Sequence, residues 1–92
     1  ELVIDYSDRS VFIKGSRIEL SNKEFEIIQL LSMNAGQVFD REKIYEIIWG
    51  IDGVGDNVVI KEHIRRIRLK FAEYTEKSYI TTVWGVGYKW EK

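Results

Sequence analysis

Ile60, Ile64, Ile67 and Phe71 stand at i, i+4, i+7 and i+11 of one unbroken run, Ile60-Lys61-Glu62-His63-Ile64-Arg65-Arg66-Ile67-Arg68-Leu69-Lys70-Phe71. Only an α-helix gathers that spacing onto one side. The segment must therefore lie as a helix on a packed body. Its other side carries Lys61, Arg65, Arg66 and Arg68 against a single acid, Glu62. A helix anchored by one face and positive on the other suits a DNA groove. The competing explanation is an ordinary solvated face, but such faces mix signs.

The formal net charge of −1 argues against nucleic acid only until it is divided along the chain. Residues 57–70 hold five basic side chains and one acid, a net of +4, so the remainder sums to −5. Phosphates respond to the nearby field, because salt screens beyond about 10 Å. The chain has 92 residues, 45% of them hydrophobic, with twelve aromatics (three Trp, five Tyr, four Phe). That is enough for one small packed domain. With no cysteine there is neither a disulfide framework nor a thiolate metal site. A single histidine makes a catalytic zinc improbable. No apolar run approaches the roughly 18 residues of a membrane span, and no signal peptide is visible. A soluble domain of the cytoplasm is the expectation.

The first twenty residues read as a small antiparallel sheet: Leu2 to Asp5, Val11 to Lys14, a turn at Gly15-Ser16, then Arg17 to Leu20. Ser21-Asn22-Lys23-Glu24 is a capping box that opens the first helix. Phe25, Ile28 and Leu31 give its apolar stripe, and Asn34-Ala35-Gly36 stops it, with Gly36 in a left-handed cap. Val38-Phe39 is an extended link. Asp40 caps the second helix, Arg41 to about Trp49, with Ile44, Tyr45, Ile47 and Ile48 facing inward. Gly50, Gly53 and Gly55, with Asp52 and Asp56, make a flexible connection without phosphate-loop spacing. Asp56 or Asn57 caps the third helix. Tyr79 to Val83 and Tyr88 to Trp90 flank the turn Trp84-Gly85-Val86-Gly87 as a terminal hairpin. Residues 1–92 thus form one α+β domain: a sheet over about 1–20, helices over about 22–34, 41–49 and 57–74, and a hairpin over about 79–91. Two helices presenting a third, followed by a hairpin, is the winged helix-turn-helix arrangement.

Four stretches then resemble a known family, the C-terminal effector domain of OmpR/PhoB-type response regulators. Leu20-Ser21-Asn22-Lys23-Glu24-Phe25 resembles its Leu-Thr-x-x-Glu-Phe. Gly36-Gln37-Val38-Phe39-Asp40-Arg41-Glu42-Lys43-Ile44 resembles its Gly-x-Val-x-Ser-Arg-x-x-Leu. His63-Ile64-Arg65-Arg66-Ile67-Arg68-Leu69-Lys70 resembles its His-Ile-x-x-Leu-Arg-x-Lys. Ile80-Thr81-Thr82-Val83-Trp84-Gly85-Val86-Gly87-Tyr88 resembles its wing, Ile-x-Thr-Val-Arg-Gly-x-Gly-Tyr. The wing looks most like that of VanR-type regulators of Gram-positive bacteria. The resemblance implies the DNA-binding, transcription-regulating output of a two-component system, with no cofactor and no catalysis. It also implies a receiver domain, phosphorylated by a sensor kinase, of which nothing is present in this sequence. Direct-repeat DNA bound by a head-to-tail homodimer, and RNA polymerase, are the further partners it allows.

Helical geometry assigns expected roles. With successive residues about 100° apart, the apolar stripe spans roughly −20° to +40° from Ile60, and Glu62, Arg65, Arg66, Leu69 and Val58 lie roughly opposite. Val58, Val59 and Glu62 should meet base edges first. Arg65 and Arg66 can bridge guanine O6/N7 or hold phosphates, and the sequence does not choose. Lys61, Arg68 and Lys70, nearer the flanks, are assigned to phosphate. His63 packs or meets one phosphate. Trp49 packs in the core, with an N–H to phosphate implied by the resemblance. In the wing, Thr82, Trp84, Gly85 and Tyr88 complete the expected DNA-binding set. Gly85 and Gly87 serve the turn's backbone needs. Two departures from the family pattern stand out: Val58-Val59 where many members are polar or basic, and Trp84 where they carry a minor-groove arginine. An interaction module for a basic protein partner is the competing class, and its signature would be an apolar patch away from the third helix. An enzyme fails on inventory, with one histidine, no cysteine and no metal cluster.

Overall fold

In the computed structural model, which describes residues 1–50 and 55–92, the sheet-forming start and the wing bracket three helices. The elements are β1 (Leu2–Asp5), β2 (Ser10–Ile13), β3 (Ser16–Arg17), α1 (Asn22–Ser32), α2 (Arg41–Trp49), α3 (Val58–Ala72), β4 (Ile80–Val83) and β5 (Gly87–Trp90). The order is the α+β winged-helix order expected from the sequence.

The N-terminal strands form an antiparallel sheet in the order β1-β2-β3, with Leu2 opposite Ile13 and Ile13 opposite Ser16. The two-residue loop Lys14-Gly15 has positive φ at both positions, 52° and 84°. That twist matches the flanking strands, as a type I′ hairpin requires. The expected strand from Arg17 to Leu20 is cut to two residues. Ile18 still donates to the Val11 carbonyl (2.9 Å) and buries its side chain, but the chain must leave the sheet to reach the helix cap at Ser21. There the capping box closes in both directions: the Glu24 amide donates to Ser21 Oγ (3.2 Å), and the Ser21 amide to Glu24 Oε1 (2.9 Å).

α1 ends at Ser32, short of the expected Asn34. The Asn34 side-chain amide takes the Leu30 carbonyl (2.8 Å), where its own backbone N–H would continue the helix. The Asn34 backbone N–H moves to Leu31 (3.2 Å), and Gly36 follows at φ 89°. α2 starts on Asp40, whose Oδ1 accepts the Lys43 amide (2.7 Å). Its Ile44 and Tyr45 are buried, but Ile47 is 49% exposed, against expectation. At about 100° per residue Ile44, Ile48 and Tyr45 share one arc, and Ile47 falls roughly 60° outside it. α3 is capped from one residue further back than its first turn. Asn57 makes no side-chain bond, and Asp56 Oδ1 accepts the Val58 amide (2.9 Å). The helix closes at Ala72, two residues before the expected Tyr74. Asp52 and Gly53 of the three-glycine connection lie outside the described residues.

Ile60, Ile64, Ile67 and Phe71 are all buried, so the stripe does face the body. They meet Val11 and Ile13 of β2, Phe25, Ile27, Ile28 and Leu31 of α1, Ile44 of α2, and Ile80, Tyr88 and Trp90 of the wing. The Val38-Phe39 link does more than connect. Phe39 and Tyr88 exchange both backbone hydrogen bonds at 2.9 Å, so the link pairs with the wing's return strand β5. Gly87 permits this approach, since a Cβ there would overlap the Phe39 carbonyl and come within 2.7 Å of Asp40 Cα.

Candidate nucleic-acid interface

Opposite the buried stripe, α3 presents Val58, Lys61, Glu62, Arg65, Arg66 and Leu69. Val58 is 61% exposed and Leu69 56%. The wing stands alongside. β4 and β5 pair antiparallel, Thr82 opposite Tyr88 and Val83 opposite Gly87, and the tip carries Trp84 at 89% exposure. Gly85 at the tip has φ 79°. A groove of about 630 Å³ runs between helix and wing, lined among others by Val58, Lys61, Arg65, Leu69, Thr82 and Trp84.

Within this face, one acid organises two bases. Glu62 accepts from Arg65 twice, Nε to Oε2 at 3.0 Å and Nη2 to Oε1 at 2.6 Å. Arg66 Nε lies 3.3 Å from the same Oε1. The Arg65 hydrogen bonds hold the Glu62 carboxyl below its ordinary value of 4.5, against a smaller upward push from burial. The same bonds raise the Arg65 guanidinium further. Both arginines stay more than half exposed. The spacing explains the arrangement: i+3 and i+4 from Glu62 fall on either side of it, roughly −60° and +40°.

The flank positions behave differently from the sequence expectation. Arg68 and Lys70 sit roughly 80° either side of the Ile60 direction, close enough to reach neighbouring elements. Arg68 turns to the wing: one Nη2 donates to the Ile80 carbonyl and to Thr82 Oγ1, both at 2.9 Å, and the guanidinium lies 5.8 Å from the Tyr88 ring centre. Lys70 turns to α1, where its ammonium is 2.6 Å from Oε1 of the buried Glu24. Each thus has a protein partner, Arg68 through Nη2 in both bonds and Lys70 with a side chain still 35% exposed. Thr82 is engaged by Arg68, and Tyr88 is only 8% exposed, so its ring belongs to the core. Sequence periodicity cannot register these attachments, because each partner comes from a distant element.

His63 and Trp49 form an aromatic corner. Trp49 stacks on Tyr45 at 5.2 Å and meets the His63 ring edge-on at the same distance. His63 Nδ1 is 2.8 Å from the Val59 carbonyl. A carbonyl only accepts, so Nδ1 carries the proton. Val59 is half-buried against the core, unlike Val58. Sequence reasoning also passed over Arg41. It lies exposed at the start of α2 and lines a second recess with Lys61, Thr82 and Trp84. Its signal was its place directly after the Asp40 cap, next to the Phe39–Tyr88 pairing.

Residues 15–90 match the family described as transcriptional regulatory protein, C terminal. The chain belongs to this family. Its members here are of the OmpR/PhoB type. SpaR of Bacillus subtilis, a transcriptional regulatory protein, is 42% identical over 86 residues, which is 94% of this chain and 39% of SpaR. Among solved structures, the Thermotoga maritima response regulator DrrB, an OmpR/PhoB homologue, shares 43% identity with a TM-score of 0.85 over 99% of this chain and 42% of its own. The DNA-binding domain of Bacillus subtilis CssR shares 30% at 0.84, over 98% and 99%. The Klebsiella pneumoniae RstA DNA-binding domain, solved with its RstA box, shares 31% at 0.82, over 98% and 90%. The chain spans about two fifths of the length of the curated relatives it matches. No helix among the described residues is long and apolar enough to cross a membrane.

Proposed function

We propose that this domain binds double-stranded DNA sequence-specifically, as the transcription-regulating output of a two-component response regulator. α3 enters the major groove and the β4–β5 wing lies at the adjacent minor groove. The observation that carries this reading is the outward face of α3. It is anchored by a fully buried stripe and exposes Lys61, Arg65 and Arg66 beside a projecting hairpin. Its likeness to the RstA DNA-binding domain, solved with DNA, supports the same reading. Val58 contributes apolar contact of the kind that suits thymine methyl groups. Lys61 is the flank cation left for phosphate, with His63 and the Trp49 N–H as secondary contacts, and Gly85 brings backbone close to the minor groove. Arg68, Lys70, Thr82, Tyr88 and Val59 support this surface from behind.

The wider assignment follows the family. Two copies bind direct repeats head to tail, RNA polymerase reads the complex, and a sensor kinase acts through a receiver domain, all in the cytoplasm. The experiment is duplex binding at rising salt. About four to eight phosphate contacts give a log–log slope near −4 to −7. A flat dependence would overturn the reading. A protein-interaction role is the second reading: away from α3, Met33 (62% exposed) and Ile47 (49%) line a recess with Leu30 and Ile48, while the basic outward face of α3, with Val58, Leu69 and Trp84 exposed beside it, favours DNA.

A further inference from the structure

A guanidinium has two edges able to make paired hydrogen bonds. One joins Nε to the nearer Nη, and the other joins the two Nη groups. On Arg65 the first edge is closed, since Nε and Nη2 both donate to Glu62. The end-on edge remains open, and the residue is more than half exposed on the outward face of α3. A guanine presents two acceptors, O6 and N7, spaced for that end-on edge. An arginine held at one edge is fixed in plane and direction. A free one sweeps through many rotamers and finds phosphates as readily as bases. Glu62 also offsets the charge of Arg65 and Arg66, which weakens attraction to the sequence-independent phosphate backbone.

We infer that Glu62 is a specificity-determining positioning residue, which clamps Arg65 side-on so that its end-on edge reads guanine, and holds both arginines back from phosphate. This rests on the DNA-binding reading above and adds to it a base identity and a division of labour. Glu62 touches the arginine and need not touch the DNA. Its carboxylate keeps an acceptor position unfilled, which makes direct reading of a cytosine amino group the competing account.

Duplexes selected from a randomised pool by the wild-type domain provide the probe. Wild type should show a strong guanine preference at one position of each half-site. Glu62→Gln is close in size, sits on a half-exposed surface and should fold, which circular dichroism and a thermal melt would establish. It should lower the guanine preference about tenfold, the scale of one good bidentate contact. It should bind unselected duplex more tightly, with a salt slope steeper by about one for each arginine released to phosphate. Arg65→Lys should lose the same preference, and adding Glu62→Gln to it should change the preference no further. Guanine preference unchanged in Glu62→Gln would overturn the inference. So would loss of a cytosine preference instead. Failure of the wild type to bind any duplex would overturn the DNA-binding reading as well, so the two failures are distinguishable.

Discussion

Arg68 of α3 donates to Thr82 of β4 at 2.9 Å and, with the same nitrogen, to the carbonyl of Ile80. The recognition helix and the wing are thereby tied at mid-length, and the Tyr88 ring lies beside the tie. We propose that this arginine, whose helical position faces phosphate, acts as an internal brace. Arg68→Ala should destabilise the fold by about 1–3 kcal/mol, since it leaves Thr82 Oγ1 without its Arg68 donor and the Ile80 carbonyl with only the longer Ser78 Oγ bond among these side-chain bonds (3.3 Å). If the brace is the role, the slope of DNA affinity against salt should stay at its wild-type value while the thermal midpoint falls. A slope flatter by about one would return Arg68 to the phosphates.

Glu24 joins the α1 cap to Lys70 of α3. Burial pushes its carboxyl upward, but the Lys70 and Ser21 hydrogen bonds together outweigh it and hold the group below 4.5. The folded value is thus lower than the unfolded one. The stabilisation is present above the unfolded value and is lost as pH falls through the folded one. Urea midpoints should therefore stay level from pH 7 to about pH 5 and drop below about 4.5. Glu24→Gln should start lower at pH 7 and lose less on acidification. Lys70→Met should cost about 1–3 kcal/mol at pH 7, measured by urea unfolding.

The two wing glycines answer different needs. Gly85 sits in open space at φ 79°, so Gly85→Ala should cost roughly 1–2 kcal/mol through backbone strain alone. At Gly87 a methyl group meets the Phe39 backbone, and the Phe39–Tyr88 pairing must open. Gly87→Ala should cost more than Gly85→Ala in thermal unfolding, about 3 kcal/mol or above. Equal costs would mean that the link to β5 is slack.

Trp84 makes little contact with the rest of the domain. Trp84→Ala should leave stability within about 0.5 kcal/mol of wild type. Trp90 is buried and Trp49 half-buried, so a fluorescence change on adding duplex should shrink in this variant by the share that Trp84 contributes, leaving that of Trp49. Trp84→Arg should steepen the salt slope by about one, by restoring a charge at the minor groove. A fluorescence change undiminished by Trp84→Ala would place the wing tip away from DNA.

Local patterns were legible where one segment carries its own signal. The Ser21-to-Glu24 capping box, the Asp40 cap, the Gly85 turn and the core membership of Phe25, Ile28, Leu31, Ile44, Ile64, Ile67 and Phe71 all follow from spacing within a few residues. Errors arose at edges of arcs and ends of elements. Ile47 looked inward by composition but lies outside its helix's buried arc. Asn34 looked like a helix residue but its side chain displaced its own backbone N–H.

By itself the sequence determined the elements, their order, and the division of α3 into a buried side and a charged side, because periodicity and capping act through neighbours along the chain. The tertiary structure decided which charges remain available. Arg68 and Lys70 carry the same formal charge as Lys61 and Arg65, and no count of residues separates them. Only the approach of β4 and of α1 to the flanks of α3 does. A side chain near 80° from the buried stripe satisfies its donors on protein when a carbonyl, hydroxyl or carboxylate lies within reach, and on a ligand when none does. The same packing brings the wing beside α3, so that Trp84 and Lys61 border one groove although 23 positions separate them in the chain.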